Sequence, residues 1–186
     1  MIKLSKREIV LFILLAIVFI ALNTPWVWQN MYPIFYVEEV MEASKLFDVD
    51  PYLILAIIQI ESNYVETTQS KKGAIGLMQL MPETAKWAIK EGNFPKEVVD
   101  KVNEPEVNIF IGTWYVSFLK RKFNGNYAAV VAAYNAGPGN VEKWLSQGIW
   151  DGTIEKSEWI PYGETRHYLQ RVFYYYGRYQ RIYDQK

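Results

Sequence analysis

The chain has 186 residues, with 20 basic side chains against 20 acidic ones, no cysteine and one histidine, His167. Zero cysteine excludes a disulfide framework and a thiol nucleophile, and a lone imidazole excludes an ordinary histidine-based metal cluster or hydrolase triad with a spare histidine, so any chemistry falls to carboxylates, hydroxyls or amides. About half the residues are apolar and 16% are aromatic, enough to build a packed core.

The zero net charge conceals an asymmetry. Lys3, Lys6 and Arg7 against Glu8 leave +2 on residues 1–8, and hence −2 on the remainder. A slightly acidic body is a poor nucleic-acid binder, because displacing phosphate counterions needs an excess of Lys and Arg. Residues 9–22, IVLFILLAIVFIAL, are apolar without a break. Their length fits a signal-peptide core and falls short of the roughly 20 residues that cross a bilayer as a helix. No small-x-small cleavage site follows Leu22, and Trp26 and Trp28 are residues that favour the membrane boundary. Extending the span to residues 9–28 reaches the required length, so a retained single-pass anchor is expected. The basic tail, residues 1–8, then lies in the cytoplasm and residues 29–186 outside it. A cleaved signal or a buried core helix is the competing reading.

Residues 29–186 read as one helical domain, without linker, repeat or low-complexity tract. Apolar spacing and breakers predict helices over residues 34–47, 51–62, 82–91, 105–122, 127–135, 138–146 and 164–183. Short extended pieces are expected within residues 69–80 and 148–161. The fold class is all-α.

The segment over residues 51–62, PYLILAIIQIES, is apolar all round up to Ile60 except for Gln59, so its helix should be buried on most of its surface. Glu61 stands at its C-terminal end. Desolvation and the negative end of the helix dipole would both raise its pKa, and a carboxyl kept protonated near neutral pH can act as a general acid. A glutamate simply facing water is the other reading of this stretch. Beyond it, Gly73 and Gly76 bracket a tight turn before Leu77-Met78-Gln79-Leu80-Met81 and a helix-starting Pro82. Gln79 could orient a polar ligand group while Met78 and Met81 line an apolar wall, or the methionines could fill core gaps.

The run from Glu61 to Ala85, E-S with S-x-x-G-A-x-G-L-M-Q-x-M-P-x-T-A downstream, resembles the signature of the soluble lytic transglycosylase (SLT) catalytic domain, lytic transglycosylase family 1. Two further blocks agree in order: Ala132-Ala133-Tyr134-Asn135-Ala136-Gly137-Pro138-Gly139 with Val141 and Trp144, and Ile160-Pro161 with Glu164-Thr165-Arg166-x-Tyr168. The resemblance implies a single goose-type domain of the α+β lysozyme-like superfamily, here all-α, following one N-terminal transmembrane helix. It implies cleavage of the bond between N-acetylmuramic acid and N-acetylglucosamine in peptidoglycan, without water, to give 1,6-anhydro ends. Glu61 would be the acid and then the base, with Ser70, Gln79, Met81, Tyr134, Asn135 and Glu164 in or beside the saccharide groove and no metal or cofactor.

Asn63 stands where many members have glycine, and Ile75 where arginine is frequent. Hydrolysis, as in goose-type lysozymes, is the nearest competing chemistry and would need a second carboxylate from among Glu66, Glu83 and Glu164. A non-catalytic wall-binding or scaffold protein is the other competitor. The expected partners are glycan strands, the cell membrane and an unidentified cell-wall assembly or secretion complex, with no nucleic acid. Tyr134 would hydrogen-bond Glu61 or substrate, while Tyr168, Val172, Tyr175, Tyr179 and Tyr183 share one helix face and read as core packing.

Overall fold

The computed structural model describes residues 5–184. Residues 1–4 of the expected cytoplasmic tail lie outside them.

α1 (Lys6–Asn23) opens on a reciprocal cap: the Ser5 hydroxyl accepts from the Glu8 backbone N–H at 3.3 Å, and the Glu8 carboxylate accepts from the Ser5 N–H at 2.6 Å. No residue of α1 is buried in the protein, and its apolar side chains stand exposed on every face. Thr24, in extended conformation ahead of Pro25, ends the helix, because the proline ring disfavours helical geometry in the residue before it. α2 (Pro25–Met31) leaves at 67° to α1. The expected span over residues 9–28 therefore has a bend at Thr24. Among the described residues no single helix is long and apolar enough to cross a membrane, though the bent pair α1 and α2 together is.

Seven more helices follow: α3 (Val37–Phe47), α4 (Pro51–Glu61), α5 (Pro82–Glu91), α6 (Pro105–Lys122), α7 (Tyr127–Ala136), α8 (Pro138–Ser146) and α9 (Gly163–Tyr183). Among the described residues, five of the nine α-helices, α2, α4, α5, α6 and α8, carry proline at the first turn, where its missing N–H leaves nothing unsatisfied. The first predicted helix of the domain begins three residues late, because Tyr36 adopts a left-handed conformation (φ 56°) that cannot continue a helix backwards. The extended character expected in residues 69–80 is present as two isolated bridges, Gln69 with Ile75 and Ile75 with Leu80. In residues 148–161 it is replaced by a short 3-10 turn, Ser157–Trp159.

Two helices are covered on nearly every side. α4 buries Leu53 to Ile58 without a break, and α7 buries Ala128 to Ala133. α9 packs along both, while α3 closes α4 from another side and α6 and α8 close α7. The 20 residues between α4 and α5 form no helix, and they owe their shape to a residue on α6. Asn108, fully buried, accepts the Met78 N–H (2.7 Å) and donates to the carbonyls of Ile75 (3.1 Å) and Val102 (2.8 Å). The loop approaches α6 so closely that a Cβ on Gly76 would overlap the Asn108 carboxamide and one on Gly112 would overlap the Met78 sulfur. Gly76 also has φ +76°, which other residues rarely adopt.

Replacing Asn108 with Ala leaves the buried Met78 N–H and the Val102 carbonyl without partners, while the Ile75 carbonyl keeps the Leu80 N–H at 3.0 Å. Asn108→Ala should therefore lower unfolding free energy by about 3 kcal/mol or more, measured by denaturant unfolding of the full chain.

Candidate active site

Glu61 is the last residue of α4, where the apolar helix ends and the loop begins. Its partly buried carboxylate accepts a hydrogen bond of 2.7 Å from the Tyr168 hydroxyl, which α9 supplies from its second turn. Desolvation by the surrounding core raises the Glu61 pKa to about 7; the Tyr168 hydrogen bond opposes the rise, and the nearby negative charge of Glu164 adds to it. Burial, with the Glu61 charge adding to it, pushes the hydroxyls of Tyr168 and Tyr134 well above their ordinary pKa, so both remain donors. The site is thus one carboxyl poised near neutrality among neutral hydroxyls.

The seven residues singled out from sequence take distinct places. Glu61 on α4 feels the charge of Glu164 on α9, and its own charge acts on Tyr134 of α7. Of the two partners expected for Tyr134, Glu61 or substrate, Glu61 is not the one it meets: its hydroxyl donates to the Met78 carbonyl at 2.8 Å and so ties α7 to the loop. Gln79, left-handed at φ 47°, turns its amide nitrogen back onto the carbonyls of Thr68 (2.8 Å) and Gly76 (2.9 Å). Ser70 closes a turn, its hydroxyl accepting from the Ala74 N–H at 3.0 Å. Asn135 accepts from the Thr165 hydroxyl at 2.7 Å, joining the end of α7 to the start of α9. Met81, preceding α5, is 40% exposed and offers an apolar edge.

Two residues escaped the sequence. Tyr168, grouped there with the core face of α9, is the hydroxyl that holds Glu61; its place at the end of the closing block was the available signal. Asn108 carried none, being one amide in an otherwise apolar stretch of α6. The departure at Asn63 has a simple account: Asn63 and Tyr64 have φ of 52° and 61°, and asparagine is among the few non-glycine residues that tolerate that region. Its side-chain oxygen also accepts from the Gln59 amide.

Beside the site lies an aromatic cleft of about 340 Å³ lined by Glu83, Thr84, Trp87, Tyr115, Phe118 and Pro138, with Lys122 at its border. Tyr115 packs on Tyr134 at 5.5 Å between ring centroids, which connects the cleft to the Glu61 neighbourhood. Of the three candidates for the second carboxylate that hydrolysis would require, Glu66 lines a separate cleft with Asn103, Glu83 pairs with Lys86 at 3.2 Å, and Glu164 alone acts on Glu61.

An all-helical domain holding a single protonatable glutamate at the end of a buried helix, beside an open cleft, is a lysozyme-like domain. The chain belongs to the Transglycosylase SLT domain family, which matches residues 38–156. It is similar to the soluble lytic murein transglycosylase of Salmonella typhimurium, at 35% identity over 161 residues, which is 85% of this chain and 25% of that protein. The membrane-bound lytic murein transglycosylase C of Edwardsiella ictaluri is 30% identical over 171 residues, 79% of this chain and 47% of its own length. Among solved structures, the 70 kDa soluble lytic transglycosylase of Escherichia coli superposes with a TM-score of 0.78 at 32% identity, over 84% of this chain and 26% of that one. The chain thus spans about a quarter of the length of the soluble relatives.

Tyr168→Phe removes the one hydrogen bond that favours the charged form of Glu61, so the Glu61 pKa should rise above about 7, read by carboxyl titration in NMR; an unchanged or lowered pKa would contradict the geometry. A second expectation follows from linkage. The native state keeps the Glu61 proton up to about pH 7, whereas the unfolded chain releases it near the ordinary glutamate value of 4.5, so stability falls as pH rises across that window. Glu61→Gln abolishes this loss. The variant should exceed wild type in unfolding free energy by about 3 kcal/mol above neutrality, and the difference should vanish in acid below the unfolded pKa.

Proposed function

We propose that the chain is a membrane-anchored peptidoglycan lytic transglycosylase in which Glu61 serves as acid and then as base. The observation that carries this is the Glu61 carboxyl, raised to a pKa of about 7 and fixed by Tyr168, because a proton donor works best when its pKa lies near the working pH. The names of the relatives, soluble and membrane-bound lytic murein transglycosylases, support the substrate and the membrane location.

Glu61 protonates the oxygen bridging N-acetylmuramic acid and N-acetylglucosamine, and the N-acetylglucosamine side leaves as an alcohol. The glutamate, now a carboxylate, takes the proton from the muramoyl O6 hydroxyl as O6 closes onto C1. The enzyme regains its proton and no water is consumed. An internal hydroxyl outruns solvent because it is already positioned, an advantage worth about 7 kcal/mol or more in favourable cases. The neutral Tyr168 keeps the carboxyl in place without competing for its proton.

Hydrolysis is the second reading, favoured by one observation: Glu164 is close enough to raise the Glu61 pKa and could activate water. Mass spectrometry of digested peptidoglycan separates the two, since anhydro ends are lighter by one water than reducing ends. Anhydro ends should predominate and Glu61→Gln should abolish release, while Glu164→Gln should still yield anhydro ends. Predominant reducing ends, lost in Glu164→Gln, would establish hydrolysis. No release by wild type would leave the non-catalytic role.

In the proposed placement the apolar stretch 9–22 enters the bilayer, Lys6 and Arg7 lie at the cytoplasmic face, and the domain stands outside. Fourteen residues at about 1.5 Å each cover about 21 Å, short of a bilayer core of about 30 Å. The bilayer thins to meet the shorter span, and α2, with Trp26 70% exposed, lies in the boundary rather than continuing that span.

A further inference from the structure

The bend between α1 and α2 is not a loose tether, because α9 holds it. The Tyr32 and Tyr174 hydroxyls are 2.7 Å apart, and the Tyr183 hydroxyl donates to the Tyr32 carbonyl at 2.8 Å. On the other side of the bend, the Trp28 indole N–H donates to the Leu22 carbonyl at 2.8 Å, folding α2 back against the end of α1. These bonds enclose a preformed cleft of about 230 Å³ lined by Asn23, Pro25, Trp28, Arg178, Arg181 and Ile182.

Two cations face this cleft. α9 carries four arginines and, within the helix, one acid, Glu164, which lies at its opposite end. Among the described residues neither Arg178 nor Arg181 forms an ion pair. Arg178 is held by aromatic rings, its guanidinium carbon 5.6 Å from the centroids of Trp28 and Tyr32 and 5.3 Å from that of Tyr174. Stacking of that kind fixes the plane of the guanidinium while leaving N–H donors at its edge, the geometry that phosphate oxygens accept. Arg181 lies one turn further along and is exposed.

We propose that this cleft binds the phosphate headgroup of an anionic phospholipid in the outer leaflet of the membrane that α1 enters. The inference rests on the anchor placement above. If α1 lies in the bilayer, Asn23 and Pro25 mark the headgroup level and the cleft opens there; a lipid phosphate then meets two arginines and an indole at the depth where tryptophan and arginine are favoured. The headgroup would set the height and tilt of the domain, and with them the distance from the membrane at which Glu61 meets glycan.

The test uses the full chain in nanodiscs of phosphatidylcholine with phosphatidylglycerol, read by native mass spectrometry of the lipids that remain bound. Wild type should retain phosphatidylglycerol in preference to phosphatidylcholine. Arg178→Gln/Arg181→Gln should lose about tenfold of that preference, reckoning roughly 1 kcal/mol per arginine near the surface with some loss to screening. Arg181→Gln alone, which touches no ring, should lose a smaller part, so that loosened packing in the double variant cannot account for the whole effect. Arg171→Gln, two turns away and outside the cleft, should change nothing. Undiminished preference in both cleft variants, or an equal loss in Arg171→Gln, overturns the site. Displacement of the retained lipid by inorganic phosphate would show a free oxyanion site and also overturn it. Extraction of wild type from membranes by alkaline carbonate would remove the anchor placement and this inference together. Resistance to carbonate without lipid preference would remove this inference alone.

Discussion

The burial of α4 is the constraint on which the rest depends. A helix with no polar face from Leu53 to Ile58 has to be covered on all sides, and α3 and α9 do most of the covering. Five large aliphatic side chains buried at about 2 kcal/mol each contribute on the order of 10 kcal/mol. Holding the Glu61 carboxyl in that environment costs about 3 kcal/mol above neutral pH. The core exceeds that cost comfortably, which is why a carboxyl can sit desolvated at the helix end without unfolding the domain. The same packing brings Tyr168 of α9 against Glu61, so the group that tempers the pKa arrives with the helix that raises it.

α9 also explains how the domain and its N-terminal helices form one body. Its first turns carry Glu164, Thr165 and Tyr168, which face the site; its last turns carry Arg178 and Tyr183, which hold α2. A 21-residue helix is about 31 Å long, so site and bend are separated by a rigid rod rather than by linker.

The loop between α4 and α5 shows how irregular backbone is held where function needs it. Without helix or sheet, its polar groups find partners in side chains: Asn108 from α6, Tyr134 from α7, and Gln79 and Ser70 from within the loop. Ser70, Gln79 and Tyr134, which the family resemblance assigned to a saccharide groove, are thus engaged in holding loop backbone. A buried amide with three partners resists substitution because two of them, the Met78 N–H and the Val102 carbonyl, are left unsatisfied when it goes.

Much of this was legible in the amino-acid order. Helix starts at Pro51, Pro82, Pro105 and Pro138 follow from proline chemistry, and the burial of α4 from an apolar run with no polar stripe; both are local properties of consecutive residues. Glu61 was visible because its surroundings in the chain are themselves apolar. The bend at Thr24 was also local, yet hydropathy summed over residues 9–28 concealed it. Other features depend on contacts between residues 30 to more than 140 positions apart, such as Asn108 with Met78, Tyr168 with Glu61 and Tyr32 with Tyr174. Spacing along one helix identifies which residues share a face but not which neighbour that face meets. Tyr168 and Tyr179 lie on the same face of α9, yet one donates to a carboxylate and the other to the Gln59 amide oxygen, a difference set by which part of α4 lies opposite each. The order of residues was sufficient for the helices, the buried carboxyl and the family. The partners that tune that carboxyl, and the cleft at the bend, exist only once the helices have packed, because each is made of groups brought together from distant parts of the chain.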